Sequence, residues 1–245
     1  MPMVETIIRL AEIPVRFICF SEGTIKYLRR YLPEDAMEES EAALTVDSRN
    51  LVLDQAVMAE ILQKPYYEYY HLISLASDAL MKAGRCCFHG TVFIWKEKAW
   101  ILTAPSGTGK STQYKNLSEL YGQEVFCLNG DKPALEFSDE GKIMVHDSPW
   151  RGKEGWGTKG ASYPLAGMFY LKQEDHNEIL EFAPGEEVVP VYGQFYSARR
   201  TEDVLRHIAR MEDRMLKSVP LRLFKNRGDL DSTKLLYHTI RQLSS

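Results

Sequence analysis

The chain has 245 residues and a formal net charge of −4, with 30 lysines and arginines against 34 aspartates and glutamates. Hydrophobic residues make up 44% of it and charged residues 26%. This balance is typical of a globular chain with a sizeable core, and it excludes disordered, collagen-like and coiled-coil proteins. The mildly acidic balance argues against a nucleic-acid-binding protein. The sequence contains no run of eighteen apolar residues, so it predicts no membrane-spanning helix.

Targeting signals and cysteine spacing indicate the compartment. Arg9, Glu12 and Arg16 interrupt the apolar stretch near the N-terminus, so the sequence predicts no signal peptide. The four cysteines lack the CxxC spacing of a zinc site, and an adjacent pair is poorly suited to an unstrained disulfide. They are Cys19, Cys86, Cys87 and Cys127. We therefore expect reduced, buried thiols in a cytoplasmic protein, with neither a membrane nor a nucleic acid as a partner.

Residues 1–85 predict a small region of mixed helices and strands. Two short strands, a turn at Glu22–Gly23 and a short helix toward Tyr31 are expected first. The acid-rich stretch over residues 34–47 is typical of a solvated loop or edge, with a strand at its end, over residues 43–46.

A helix is predicted from Tyr66 to Ala83, where apolar residues recur at helical spacing after Pro65. Four tyrosines open it: Tyr66, Tyr67, Tyr69 and Tyr70. Packing in the core or between domains is the favoured interpretation of this cluster, and a peptide-docking groove is the alternative.

Strands dominate the middle of the chain. A strand over residues 87–95, a charged turn at Lys96–Lys98 and a strand over residues 99–104 precede a helix after Gly109. Further strands are expected at residues 125–128, 134–137, 142–145, 166–171 and 221–224. Residues 147–160 predict a loop, and helices are expected from Thr201 and from Ser232 to Leu243. Strands flanked by helices predict an α/β or mixed α+β fold.

A phosphate-binding loop is the most informative motif. Residues 103–112 read TAPSGTGKST, in which an apolar strand runs into a glycine loop and Gly-Lys-Ser opens a helix. Glycines let backbone N–H groups turn toward phosphate oxygens, and the start of a helix adds a positive dipole end. Lys110 would reach the β- and γ-phosphates and the Ser111 hydroxyl would coordinate Mg²⁺. Ala104 stands where such loops usually have their first glycine.

Two polar residues lie at equal separations along the sequence on either side of this loop. Asp131 follows Lys110 by 21 positions, at the end of the predicted strand 125–128, and His89 precedes Lys110 by 21 positions. This arrangement resembles the catalytic domain of bacterial HPr kinase/phosphorylase and its relative, ATP-dependent phosphoenolpyruvate carboxykinase. The segments that match are the glycine loop, His89-Gly90 and Asn129-Gly130-Asp131. The resemblance covers about residues 88–172 and extends to small kinase-like relatives, some of which phosphorylate precursor peptides of natural products.

The resemblance implies a fold and an activity. The fold would be a phosphoenolpyruvate-carboxykinase-like P-loop core over residues 86–245, with a mixed central sheet flanked by helices. Residues 1–85 would form a small α+β region packed on this core. The implied activity is a kinase that transfers the γ-phosphoryl group of ATP, with Mg²⁺, to a hydroxyl. The acceptor would be a protein, a peptide (a natural-product precursor included) or a small molecule, with serine favoured. The resemblance also implies that homo-oligomers can form.

The same resemblance implies the site residues. The nucleotide-binding residues would be Pro105, Ser106, Gly107, Thr108, Gly109, Lys110, Ser111 and Thr112. Asp131 would accept the proton of the acceptor hydroxyl and bind Mg²⁺ with Ser111, and His89 would steady the γ-phosphate by charge or a hydrogen bond. Arg151 and Lys153, which lie in the loop that follows Asp147, would contact the phosphoryl group. Gly130 replaces the first of the family's paired aspartates, so Asp131 would carry both carboxylate roles.

Two other functions remain open at this point. A nucleotide-sensing or assembly module without transfer activity is favoured by Gly130. A small carboxykinase-like metabolic enzyme is opposed by the chain length, about half of what that enzyme needs. A basic helix face at Arg206, Arg210 and Arg214 is either solvated or a docking site for an acidic substrate.

Overall fold

A computed structural model describes residues 3–30, 42–51 and 55–244 and shows a mixed α/β fold. The described strands are β1 (Val4–Leu10), β2 (Ile13–Cys19), β3 (Leu44–Asp47), β4 (Arg85–Cys87), β5 (Thr91–Trp95), β6 (Lys98–Thr103), β7 (Val125–Asn129), β8 (Ala134–Phe137), β9 (Ile143–His146), β10 (Ser162–Gln173), β11 (Glu178–Leu180) and β12 (Leu221–Asn226). The described helices are α1 (Glu22–Arg29), α2 (Gln55–Gln63), α3 (Pro65–Met81), α4 (Lys110–Tyr121), α5 (Val188–Tyr192), α6 (Glu202–Ser218) and α7 (Leu230–Leu243).

The N-terminal strands form a small sheet of order β1-β2-β3. Its hairpin turns at Ala11 and Glu12, both with positive φ, as a two-residue turn between antiparallel strands requires. The turn predicted at Glu22–Gly23 is wrong, because Ser21 caps α1 and these two residues begin the helix. Most of the acid-rich stretch lies outside the described residues, but the strand predicted at its end is confirmed as β3.

The larger sheet has nine described strands. Its main path runs β4-β8-β9-β10-β6-β5-β7, with β12 paired to both β10 and β11. The long strand β10 joins two parts of the sheet, since its first residues pair antiparallel with β9 and its later residues pair parallel with β6 and β12. The expected mixed sheet flanked by helices is therefore confirmed at the level of fold class.

Helices cover both faces of the sheet at β5 and β6. Phe93 and Leu102 pack in one hydrophobic cluster with Leu117 of α4 and Leu236 of α7. The residues that alternate with them pack in a second cluster, with Met211 and other apolar residues of α6. This alternation is the period-2 pattern of a strand buried on both sides, and it produces a helix–sheet–helix arrangement.

One predicted strand is interrupted at a position that matters for the site. The strand expected over residues 87–95 is two strands, because β4 ends at Cys87 and β5 begins at Thr91. His89 lies in the gap, where its backbone N–H donates to the Gln194 carbonyl oxygen and its own carbonyl oxygen accepts from the Thr103 hydroxyl. The backbone of His89 is therefore bonded outside the strand ladder, at the edge of the sheet.

The N-terminal elements share a hydrophobic cluster with the larger sheet. Phe17, Leu28 and Leu72 pack there with Ala134 and Trp150. The four cysteines are buried and unbridged, as expected. Within the described ranges, no helix has both the length and the apolar character needed to cross a membrane.

Candidate functional site

Three neighbouring strands bring the predicted site residues together. Strand β5 runs antiparallel to both β6 and β7, with Thr91 opposite Leu102 and Val92 opposite Asn129. The start of β5 therefore lies at the same sheet edge as the ends of β6 and β7. His89 precedes β5, the glycine loop follows β6 and Asp131 follows β7, so this topology gathers all three at one edge.

The glycine loop connects β6 directly to α4. Gly107 and Gly109 have φ values of +82° and +98°, and an added Cβ at either would meet nothing within 4 Å. Backbone conformation rather than space therefore requires glycine at these two positions. The Thr108 hydroxyl donates to the Pro105 carbonyl oxygen over 2.7 Å and closes the loop on itself.

Lys110 opens α4 and turns its ammonium back into the loop. Its Nζ donates to the carbonyl oxygens of Ala104 (2.7 Å) and Pro105 (3.0 Å), and only 7% of the residue is exposed. Burial lowers the pKa of Lys110 to about 8, with Asp131 opposing the shift and Lys132 adding to it. The group still carries its charge at neutral pH, and an anion placed in the loop would raise its pKa again.

Asn129 shapes the turn that carries Asp131. Its side-chain Oδ1 accepts from the backbone N–H groups of Asp131 (3.0 Å) and Lys132 (2.7 Å), and its Nδ2 donates to Asp147 Oδ1 (3.0 Å). An amide that accepts from the backbone two and three residues ahead is a common way to fix a tight turn. The turn thus presents Asp131 rigidly and is tied to the loop that begins at Asp147.

Two side chains flank the Asp131 carboxylate. Lys132 Nζ makes a short ion pair with Oδ2, and His89 Nε2 lies 3.5 Å from Oδ1. The Lys132 ammonium is buried and also faces the rings of Tyr70 and Tyr196, with 5.1 and 5.9 Å to their centroids. Sequence reasoning missed Lys132, although a lysine directly after a strand-end aspartate was a signal that could have found it.

The hydrogen-bond network fixes the tautomer of His89. Gln194 Nε2 donates to the Pro190 carbonyl oxygen (3.1 Å), so its Oε1 faces His89 Nδ1, 3.1 Å away, and accepts a hydrogen bond from the Nδ1–H. Burial, together with the nearby Lys110 charge, lowers the pKa of His89 to about 4 against the opposing effect of Asp131. His89 is therefore neutral at pH 7, with a lone pair on Nε2. In this site it can act through a hydrogen bond, whereas the alternative role through charge would need its pKa to rise.

The loop after Asp147 contains two cations with different environments. Arg151 is 3% exposed, bonded to both carboxylate oxygens of Asp147 and to the Gly157 carbonyl oxygen. It is not among the residues that line the two cavities described below, whereas exposed Lys153 lines both. Of the two predicted phosphoryl contacts, the structure brings only Lys153 to the cavity and places Arg151 in a buried ion pair.

The same loop packs against Gly130 and Asp131. The Gly130 N–H donates to the Trp156 carbonyl oxygen, and an added Cβ on Gly130 would lie 3.0 Å from the Arg151 carbonyl oxygen. Gly152 comes so close that its own Cβ would lie 3.2 Å from Asp131 Oδ2. A second carboxylate at position 130 would therefore compete with this loop for space.

Two adjoining cavities open at Asp131. The smaller, about 380 Å³, is lined by the glycine loop and the first turn of α4 on one side and by Thr91, Gly130 and Asp131 on the other. The larger, about 600 Å³, has five tyrosines and one tryptophan among its fourteen lining residues. Six residues line both: His89, Ser106, Asp131, Gly152, Lys153 and Glu154.

The smaller cavity holds the oxygen groups predicted for Mg²⁺. Ser111 and Asp131 both line it, and a hydroxyl and a carboxylate are the ligand types that Mg²⁺ takes from proteins alongside phosphate oxygens and water. Across the described part of the chain, no group of three or more histidine, cysteine, aspartate or glutamate side chains could hold a metal ion by itself.

No protein-family model matches the chain, and no curated protein matches it.

Proposed function

We propose that this chain is an ATP-dependent kinase that transfers the γ-phosphoryl group to a hydroxyl, with Mg²⁺ as its cofactor. The favoured acceptor is a serine of a protein or peptide. The observation that carries the proposal is the meeting of Lys110, Asp131 and His89 at one cavity whose floor is the glycine loop.

The glycine loop would bind the triphosphate. The backbone N–H groups over residues 107–111 lie at the start of α4, whose dipole favours anions, and Lys110 adds a positive charge. Two of the three ammonium protons of Lys110 are bonded to loop carbonyls, which leaves one for a phosphate oxygen. Lys153, on the opposite wall, supplies a second cation.

Ser111 and Asp131 would hold Mg²⁺ in the smaller cavity. When bound there, the ion would neutralise negative charge on the phosphate oxygens during transfer. The contribution of the chain is to fix these two oxygen ligands on rigid elements, the first turn of α4 and the turn after β7.

Asp131 would take the proton of the acceptor. The acceptor oxygen forms a bond to the γ-phosphorus, the bond to the β–γ bridging oxygen breaks, and ADP leaves with that electron pair. The hydroxyl proton goes to Asp131 Oδ1, the oxygen that Lys132 does not hold. Because His89 Nε2 carries a lone pair 3.5 Å away, the imidazole can share that proton and stabilise the protonated pair.

An Asp131→Asn variant tests the proposal. It keeps the shape of the side chain but removes the proton acceptor and a metal-directed charge, so γ-phosphate transfer from labelled ATP should fall at least about a hundredfold. Asp139→Asn, in the exposed β8–β9 turn, is the matched control and should transfer at the wild-type rate. A folded Asp131→Asn protein that transfers at the wild-type rate would contradict the proposed mechanism, with folding checked by thermal shift with ATP.

A nucleotide-binding module without transfer activity is the second candidate. The short Lys132–Asp131 pair favours it, since it leaves only one carboxylate oxygen to take a proton. The crowding at Gly130, where a second carboxylate would have to displace the neighbouring loop, favours it too. Wild-type protein that binds ATP and Mg²⁺ but releases no ADP with any hydroxyl acceptor, or with water, would support this candidate over the kinase.

A further inference from the structure

The larger cavity adjoins the proposed phosphate site at one end only. It shares Ser106, His89 and Asp131 with the smaller cavity but does not reach Ser111 or Thr112. In a loop of this type the lysine contacts the β- and γ-phosphates and the Ser/Thr side binds the metal ion. The larger cavity therefore opens where Asp131 would receive an acceptor hydroxyl, at the end of the loop away from the first turn of α4.

We propose that the larger cavity is the acceptor site and that it selects a short peptide segment with an aromatic side chain beside the phosphorylated residue. This inference rests on the proposed kinase function, and it adds the substrate class to it. Its walls come from the N-terminal elements α1 and α3 as well as from the core, so the N-terminal region would act in substrate selection.

The aromatic walls carry the first part of the argument. Tyr69 is buried, but Tyr66 and Tyr70 are 45% and 42% exposed and line the concave surface. The Tyr27 ring lies 5.6 Å from the Tyr66 ring, nearly edge-on, and 5.4 Å from the Tyr69 ring, stacked. Tyrosines held by ring contacts give a large contact area at low entropic cost and bind an aromatic side chain well.

The size and opening of the cavity favour a peptide segment. A volume of about 600 Å³ is in the range of sites that enclose a small ligand, so it can hold a few residues but not a folded surface. Arg30, Tyr66 and Tyr70 line it and are exposed, so a chain bound inside can continue into solvent on that side. Asp131 lines the same cavity, so the segment would reach its carboxylate.

A positional peptide library with a fixed serine, incubated with the full chain, ATP and Mg²⁺, tests the inference. Peptides with phenylalanine, tyrosine or tryptophan next to the serine should be phosphorylated at least about tenfold faster than their alanine counterparts. In the Tyr66→Ala/Tyr70→Ala variant the KM for the preferred peptide should rise about tenfold. Tyr67→Ala, on the same helix but outside the cavity lining, is the matched control and should keep the wild-type KM.

The outcomes separate this inference from the proposed function. Transfer to serine peptides without an aromatic preference, or ATP turnover into water with no peptide phosphorylated, would overturn the peptide site and leave the kinase proposal standing. Absence of both ATP binding and turnover would overturn the kinase proposal itself. An unchanged KM in the double tyrosine variant would place the acceptor outside this cavity.

Discussion

At the scale of single residues, His89 and Lys132 give the two oxygens of Asp131 different environments. Lys132 supplies a positive charge to Oδ2, whereas neutral His89 presents a lone pair toward Oδ1. Because the ammonium occupies Oδ2, a proton from the acceptor would be taken up at Oδ1, where the His89 lone pair can share it. The ability of Asp131 to act as a base would therefore depend on both neighbours.

The lowered pKa of His89 predicts a pH dependence of stability. Because its folded-state pKa of about 4 lies below the ordinary value of 6.5, its contribution is fully present above pH 6.5 and is lost as the pH falls through about 4. When the pH is lowered from 7 to 4.5, the free energy of unfolding should fall in both proteins. The fall should be about 1–3 kcal/mol smaller in His89→Gln than in the wild type. Urea unfolding at the two pH values measures this difference.

The matched control for this measurement is His238→Gln on α7. His238 is exposed, so its variant should lose stability with falling pH as the wild type does. Equal losses in the wild type and in His89→Gln would contradict the neutral, buried state assigned to His89.

At the scale of elements, the loop over residues 147–157 combines a buried anchor with an exposed cation. Arg151 fixes the loop through Asp147 and the Gly157 carbonyl oxygen, and an added Cβ on Gly157 would lie only 2.6 Å from Arg151 Nε. Lys153, two residues further, reaches the cavity. The loop therefore places one basic side chain in a buried ion pair and the other at the cavity.

Arg151→Met should destabilise the protein much more than Lys153→Met. It removes one partner of a buried ion pair and leaves the Asp147 carboxylate without its guanidinium, which typically costs about 3–5 kcal/mol. Lys153 is exposed, so its variant should stay within about 0.5 kcal/mol of the wild type while lowering the transfer rate. Denaturant unfolding of both variants measures the contrast.

The double variant Asp147→Asn/Arg151→Met tests whether loss of the ion pair causes this destabilisation. If the ion pair is responsible, the double variant should be less destabilised than the sum of the two single variants. Additive losses, or an Arg151→Met protein as stable as the wild type, would contradict the structural role of Arg151.

The elements around the site were predictable because their sequence signals are local. The glycine loop, the helix after Gly109 and the end of the strand before Asp131 follow from apolar periodicity and glycine placement. The interruption at His89 was not predicted, because apolar residues lie on both sides of it and its backbone hydrogen bonds go to residues far along the chain. The burial of Arg151 was missed for a similar reason, since a Gly-rich loop predicts exposure unless a buried carboxylate partner is known.

At the scale of the whole molecule, the N-terminal elements hold the loop that covers Asp131. The Tyr69 hydroxyl of α3 donates to the Pro149 carbonyl oxygen (2.7 Å), and Trp150 Nε1 donates to the Tyr69 carbonyl oxygen (2.8 Å). Their rings also stack, with centroids 6.0 Å apart. The sequence predicted a tyrosine-rich helix and a Trp-containing loop separately, but it carried no signal that the two would meet.

The contact of Gln194 with His89 is a second one that the sequence could not predict. It follows α5, an element that sequence reasoning did not predict, and it lies 105 residues from His89, whose ring it orients. Periodicity and spacing describe neighbours along the chain, whereas this contact depends on how the tertiary fold brings distant segments together. The residues at the sheet edge could therefore be proposed from the sequence, but their protonation states and partners could not.

The most direct test of the central claim, that the glycine loop is a nucleotide triphosphate site, is calorimetric titration of ATP with Mg²⁺ into the wild type, Lys110→Ala and Lys115→Ala. We expect binding by the wild type and a loss of about 1–3 kcal/mol, or about 5- to 150-fold in affinity, in Lys110→Ala. Lys115, exposed on the same helix and paired with Glu119, is the control whose removal should leave the affinity unchanged. No binding by the wild type, or equal affinity in the wild type and Lys110→Ala, would contradict the assignment.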